Sequence, residues 1–118
     1  MTDTIQTIAE EMGEAVLLEQ LAEEAAELAQ AALKVARIVR RENPTPVTYR
    51  DALMHLIEEI GDNRLCVMTL ESIYGSIDTR DIETAKQKRW LDRIKANRYP
   101  APEPVQSYTE GGGTDAEA

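Results

Sequence analysis

The sequence predicts an all-α fold, a four-helix-type bundle. Three observations lead there. The chain has no Phe and only 4 % aromatic residues, so its core must be built from Leu, Ile, Val, Met and Ala, a set that suits helices better than sheets. Apolar residues recur at alternating spacings of three and four over long stretches. The interruptions fall at Gly and Pro, which end helices. At 118 residues the chain makes one domain with a small core, which self-association would reinforce.

Thr4–Met12 reads as a short first helix, and Gly13 weakens its continuation. From Glu14 to about Arg41 the helical signal is strong. Leu18, Leu21, Ala25, Leu28, Ala32, Val35 and Val39 form one apolar stripe, with Gln20, Glu23, Glu27, Gln30 and Lys34 turned away and Glu24 at its border. Arg37, Arg40 and Arg41 suit the negative end of the helix dipole. Asn43-Pro44-Thr45-Pro46 stops this helix. Thr48-Tyr49-Arg50-Asp51 reads as an N-cap with an acidic third position, opening a helix that runs to about Tyr74, with Gly75 as C-cap. This third helix is apolar nearly all round, as a central bundle helix is. Ser76–Thr79 caps a last helix that ends near Asn97. The expected domain is 1–98. Residues 99–118, polar and carrying Gly111-Gly112-Gly113, are an expected disordered tail.

Two acidic clusters stand out, Glu23-Glu24-Ala25-Ala26-Glu27 and Glu58-Glu59-Ile60-Gly61-Asp62. Each puts carboxylates at i and i+3, neighbours on a helix surface. If the two helices pack, Glu24, Glu27, Glu59 and Asp62 converge, and like charges gather only around something positive. A hard divalent cation fits, because Mg²⁺ takes oxygen ligands and keeps substrate phosphates in its shell. Glu59 and Asp62 are expected on the face of Cys66, Leu70 and Ile73, where an isolated carboxylate is costly unless protonated, paired or metal-bound. Glu-rich helix faces are ordinarily solvated surface; acids embedded in an apolar helix are not.

The net charge of -9 argues against a nucleic-acid polymer as partner. Basic residues concentrate in Lys86–Arg98. The single cysteine, Cys66, cannot form an internal disulfide and reads as a small core residue. No stretch approaches the roughly 20 apolar residues that span a bilayer, and no signal-peptide pattern is present, so the expectation is a cytoplasmic protein without membrane contact.

The acidic pair resembles the motifs of the MazG-like all-α nucleoside triphosphate pyrophosphohydrolases, related to dimeric dUTPases and all-α dCTP pyrophosphatases. Gln20-Leu21-Ala22-Glu23-Glu24-Ala25-Ala26-Glu27-Leu28 with Ala31-Ala32-Leu33-Lys34 resembles their first motif helix. Leu56-Ile57-Glu58-Glu59-Ile60-Gly61-Asp62 resembles the second, and Lys88-Arg89-Trp90-Leu91-Asp92-Arg93-Ile94 the closing helix. The resemblance covers about residues 14 to 97. It implies hydrolysis of a nucleoside triphosphate to monophosphate and pyrophosphate with Mg²⁺ or Mn²⁺, for nucleotide-pool housecleaning, in a homo-oligomer (dimer or tetramer) whose site is often completed by another subunit. By position Glu24, Glu27, Glu59 and Asp62 match the metal ligands, and Glu23 and Glu58 are adjoining acids with a supporting or water-activating role. Asn63 departs from the apolar residue of many relatives and is either a polar contact to metal, sugar or base, or a surface residue. His55 departs as well, as a substrate contact or a structural residue.

Lys86, Arg89 and Arg93 share one face of the last helix. They would bind phosphates or steer a nucleotide, or pair with Asp81, Glu83 and Asp92. Lys34 is a further phosphate-contact candidate or a solvated lysine, and Trp90 a base-stacking or core residue. A ferritin-like di-iron site needs Glu-x-x-His on two helices, and the one histidine, His55, precedes its acids. The competing reading is a non-catalytic acidic helical-bundle interaction protein. That reading leaves Glu59 and Asp62 unexplained. A nucleotide-binding relative that no longer cleaves is a third.

Overall fold

The computed structural model describes residues 3–42 and 46–97. Four helices account for most of them: α1 (Thr4–Met12), α2 (Glu14–Arg40), α3 (Tyr49–Tyr74) and α4 (Arg80–Asn97). No strand occurs among the described residues, so the all-α expectation stands. Asn43, Pro44, Thr45 and the expected disordered tail, 99–118, lie outside the described residues.

Local chemistry sets each boundary. Asp3 caps α1, its carboxylate accepting from the Ile5 N–H at 2.9 Å. Gly13 takes φ 87° at the α1–α2 joint, a left-handed value that suits glycine. Arg41 closes α2 in the left-handed region, its N–H donating to the Ile38 carbonyl at 3.1 Å. Thr48 caps α3 by accepting from the Asp51 N–H at 3.1 Å, and Gly75 ends it. Asp78 accepts from the Arg80 N–H at 3.1 Å and holds the Arg80 guanidinium at 2.8 Å, opening α4.

Helices α2 and α3, 27 and 26 residues long, form an antiparallel hairpin, with α1 packed mainly on α3. Two apolar clusters hold the hairpin. Ala9, Leu17 and Leu70 pack with Leu21 at the open end. Ile38, Tyr49 and Ala52 pack with Val35, Val47 and Leu53 at the turn. The hydrophobic effect acts at both ends, and the acidic residues occupy the stretch between.

The packing register differs from the expected one. Leu18 and Val39 are exposed, and Leu17, Ala31 and Ile38 are buried instead. Leu21, Leu28 and Val35 belong to both stripes. The buried set completes the seam with Leu17, Glu24, Ala31 and Ile38, the expected set with Leu18, Ala25, Ala32 and Val39. The seam therefore runs through Glu24. On α3 the matching seam is Tyr49, Ala52, Glu59, Cys66 and Leu70. Asp62 and Ile73, expected on that face, are exposed.

Helix α4 is packed along none of the other three, and all of its residues are exposed. Met54, Ile57, Leu65 and Met68 leave a large part of α3 uncovered as well. No described helix is long and apolar enough to cross a membrane.

Candidate metal centre

Midway along the hairpin, Glu24 and Glu27 of α2 meet Glu59 of α3. One carboxylate oxygen from each lies within 4.8 Å of the others. Glu59 is 6 % exposed, Glu24 is half-buried and Glu27 is exposed. Gln20, one turn before Glu24, donates its amide N–H to Glu24 Oε2 at 2.9 Å. The other oxygen, Glu24 Oε1, is buried without a hydrogen-bond partner, and so is Glu59 Oε1. Buried carboxylate oxygens are nearly always satisfied, because leaving one bare forfeits its hydration. Two bare oxygens in adjoining acids fit a cation, and an all-oxygen donor set fits Mg²⁺ or Mn²⁺.

The electrostatics agree. Burial, followed by the charges of Glu27, Asp62 and Glu24, holds the Glu59 carboxyl above its usual range, and only His55 acts in the opposite direction. Cys66, one helical seam position further on, is a buried free thiol. Its pKa is raised by burial and then by Glu24 and Asp62.

Next to the trio opens a pocket of about 570 Å³ between α2 and α3. Glu27 and Glu59 form its acidic edge. Lys34, Arg37 and His55 supply its basic groups. His55 stands between two acids, with Nδ1 3.6 Å from Glu58 and Nε2 3.8 Å from Glu59. Acids that can hold a cation, beside cations that can hold an anion, suit a ligand of the metal–phosphate kind.

Among the expected site residues, Glu24, Glu27 and Glu59 converge, and Lys34 lines the pocket. Asp62 is close enough to act on Glu59 through its charge, but it is exposed and outside the trio. Glu23 and Glu58 are exposed and line no part of the pocket. Lys86, Arg89 and Arg93 sit on the unpacked α4 and are likewise absent from the pocket wall. Asn63 spends its amide hydrogens on backbone, donating from Nδ2 to the Glu24 carbonyl at 3.0 Å and the Glu59 carbonyl at 2.8 Å. Sequence reasoning passed over Gln20 as a partner of Glu24 and took Arg37 for a helix-end charge. The i, i+4 spacing of Gln20 to Glu24 and the i, i+3 spacing of Lys34 to Arg37 were the available signals.

Comparison with protein-family models, with curated proteins and with solved structures finds no match to this chain.

Proposed function

We propose that this protein is a divalent-cation-dependent nucleoside triphosphate pyrophosphohydrolase, releasing monophosphate and pyrophosphate from (d)NTPs in cytoplasmic nucleotide-pool housecleaning. One observation carries the reading: two buried carboxylate oxygens lack partners, on Glu24 and Glu59, and Glu59 lines a pocket that also holds Lys34 and Arg37. The resemblance of the two acidic motifs to the MazG-like pyrophosphohydrolases supports it from the sequence side.

Glu24, Glu27 and Glu59 would hold Mg²⁺ or Mn²⁺, with Asp62 adding charge from the next turn. When bound, the cation supplies charge neutralisation and Lewis acidity toward the phosphates. Lys34 and Arg37 bind phosphate oxygens on the pocket side away from the acids. Arg37 presents a planar fork and Lys34 a point charge, so the pair orients a phosphate chain along α2. His55, with Nδ1 3.6 Å from Glu58 and Nε2 3.8 Å from Glu59, lines the same pocket and adds a polar contact beside the phosphates. The resemblance gives Glu23 and Glu58 the supporting or water-activating role, and both are exposed beside the trio's own residues.

The reading includes a homo-oligomer. The uncovered apolar residues of α3 and α4 need a partner, and Lys86, Arg89 and Arg93 reach phosphate only if α4 crosses to a pocket of a second copy. The exposed Ile82, Trp90, Leu91 and Ile94 of α4 also favour the second reading, an acidic interaction protein. That alternative gives no reason for the bare oxygens of Glu24 and Glu59.

The test is a panel of canonical, deoxy and damaged nucleoside triphosphates incubated with Mg²⁺, scored for pyrophosphate and for orthophosphate. Pyrophosphate release with a raised KM in Lys34→Ala and Arg37→Ala supports the proposal. No release from any nucleotide by the folded protein sinks it and leaves the interaction protein.

A further inference from the structure

We propose that Asn63 is the positioning residue of the cation site, setting the spacing of α2 and α3 at which Glu24 and Glu59 share one ion. The inference rests on the cation reading above. Asn63 donates from a single nitrogen to two carbonyl oxygens, that of Glu24 across the hairpin at 3.0 Å and that of Glu59 one turn back at 2.8 Å. These are the backbone groups of the two residues whose Oε1 atoms are buried without partners. The side chain that ties the helices together therefore acts at the same level as the charges that push them apart.

Physical necessity explains the residue type. The apolar clusters lie toward the ends of the hairpin, around Leu17 and Leu70 and around Ile38 and Ala52. Between them Glu24 and Glu59 face each other, and carboxylates in a poorly solvated seam repel. A cross-helix tie here needs two N–H donors on one short side chain. Among residues of this size only asparagine provides them, since aspartate accepts and leucine does neither.

Stability alone would not select asparagine. Asn63 also lines a groove whose apolar part is Leu21, Leu28, Ile60, Val67 and Met68 and whose rim carries Arg64, Thr79 and Glu83, and against that apolar part leucine would bury more apolar surface. A polar residue in a position suited to an apolar one marks a place where stability yields to function. The amide holds the acids at ion-sharing distance, and the cation then offsets their repulsion.

The experiment titrates the full-length protein with Mn²⁺ alone, reading free Mn²⁺ by electron paramagnetic resonance, beside thermal unfolding of the same samples without metal. The variants are Asn63→Leu and Asn63→Asp, with Thr69→Ala as a control. Thr69 is buried and donates its hydroxyl to the Cys66 carbonyl at 2.7 Å, so its loss destabilises α3 away from the acids. The expected result is Mn²⁺ binding weakened about tenfold in both Asn63 variants, the scale on which supporting residues act at metal sites. Asn63→Leu is expected to melt no lower than wild type, and Thr69→Ala to melt lower while keeping its Mn²⁺ affinity.

Asn63→Asp separates positioning from charge. It adds a carboxylate beside Asp62, so a charge effect alone tightens Mn²⁺, whereas loss of the tie weakens it. Wild-type affinity in Asn63→Leu, or tighter binding in Asn63→Asp, overturns the proposal. If Asn63→Leu fails to fold, the Asp variant decides. Wild-type protein that binds no Mn²⁺ overturns the cation reading itself, and this inference with it.

Discussion

Glu59 concentrates the energetic conflict of the molecule in one side chain. It is buried, it faces Glu24 and Glu27, and one of its oxygens has no partner. Glu59→Gln replaces a strained charge by an amide that donates to its acidic neighbours. The metal-free variant is therefore expected to melt above wild type by differential scanning fluorimetry, and to lose the Tm rise that Mg²⁺ gives wild type. The sign of the pH dependence follows from the raised Glu59 pKa. The folded state holds its proton more tightly than the unfolded chain, so the contribution of Glu59 to stability is complete below the ordinary Glu value of 4.5. It is lost as pH rises through the folded-state pKa. In EDTA, Tm is expected to fall as pH rises from 4.5, whereas the gain from added Mg²⁺ grows with pH because the ion binds the carboxylate form. A Tm in EDTA that rises over that range contradicts the assigned environment. Cys66, with its thiol pKa raised, is expected to resist iodoacetamide at neutral pH in the folded protein and to react once urea unfolds it.

At the level of the helices, Gly61 gives a separable test. It lies inside α3 between Glu59 and Asp62, and a Cβ built there meets nothing within 4 Å. Gly61→Ala is expected to raise stability by about 0.5–1 kcal/mol in urea unfolding. A loss instead means that a second chain or a ligand occupies that space. The helices themselves were legible in the sequence, because capping residues and glycines mark their ends: Gly13, Thr48 and Gly75 act locally, where a sequence speaks most directly. The packed face was less legible. Two stripes share Leu21, Leu28 and Val35, and the pattern that avoids a charge takes Ala25, whereas the folded seam takes Glu24. Reading for the most apolar face thus shifts α2 by one residue at its acid. On α3 the i, i+3 spacing of Glu59 and Asp62 showed that they are neighbours, but not that only Glu59 turns toward α2. Asn63 was invisible as a tie because its partner carbonyl lies 39 residues away.

As a whole the molecule is a hairpin with one added helix and one helix left unpacked. Met54, Ile57, Leu65 and Met68 on α3 are exposed, as is Trp90 on α4 at 65 %, and exposed apolar residues grouped along a helix fit a surface that a second copy covers. Sedimentation equilibrium is expected to return at least twice the 13.2 kDa chain mass, with Ile57→Glu lowering it. A wild-type monomer at micromolar concentration contradicts this account of the surface. The bundle geometry was less legible than the helices, because among the described residues nothing packs along α4 or covers Met54, Ile57, Leu65 and Met68 of α3. The central claim joins the acid trio to phosphate chemistry. Its most direct test is the rate of Mg²⁺-dependent pyrophosphate release from nucleoside triphosphates by wild type and by Glu59→Gln, each verified as folded. Release by wild type that EDTA stops and Glu59→Gln lacks is the expected result. Equal release by both proteins, or none from wild type with any nucleotide, contradicts it.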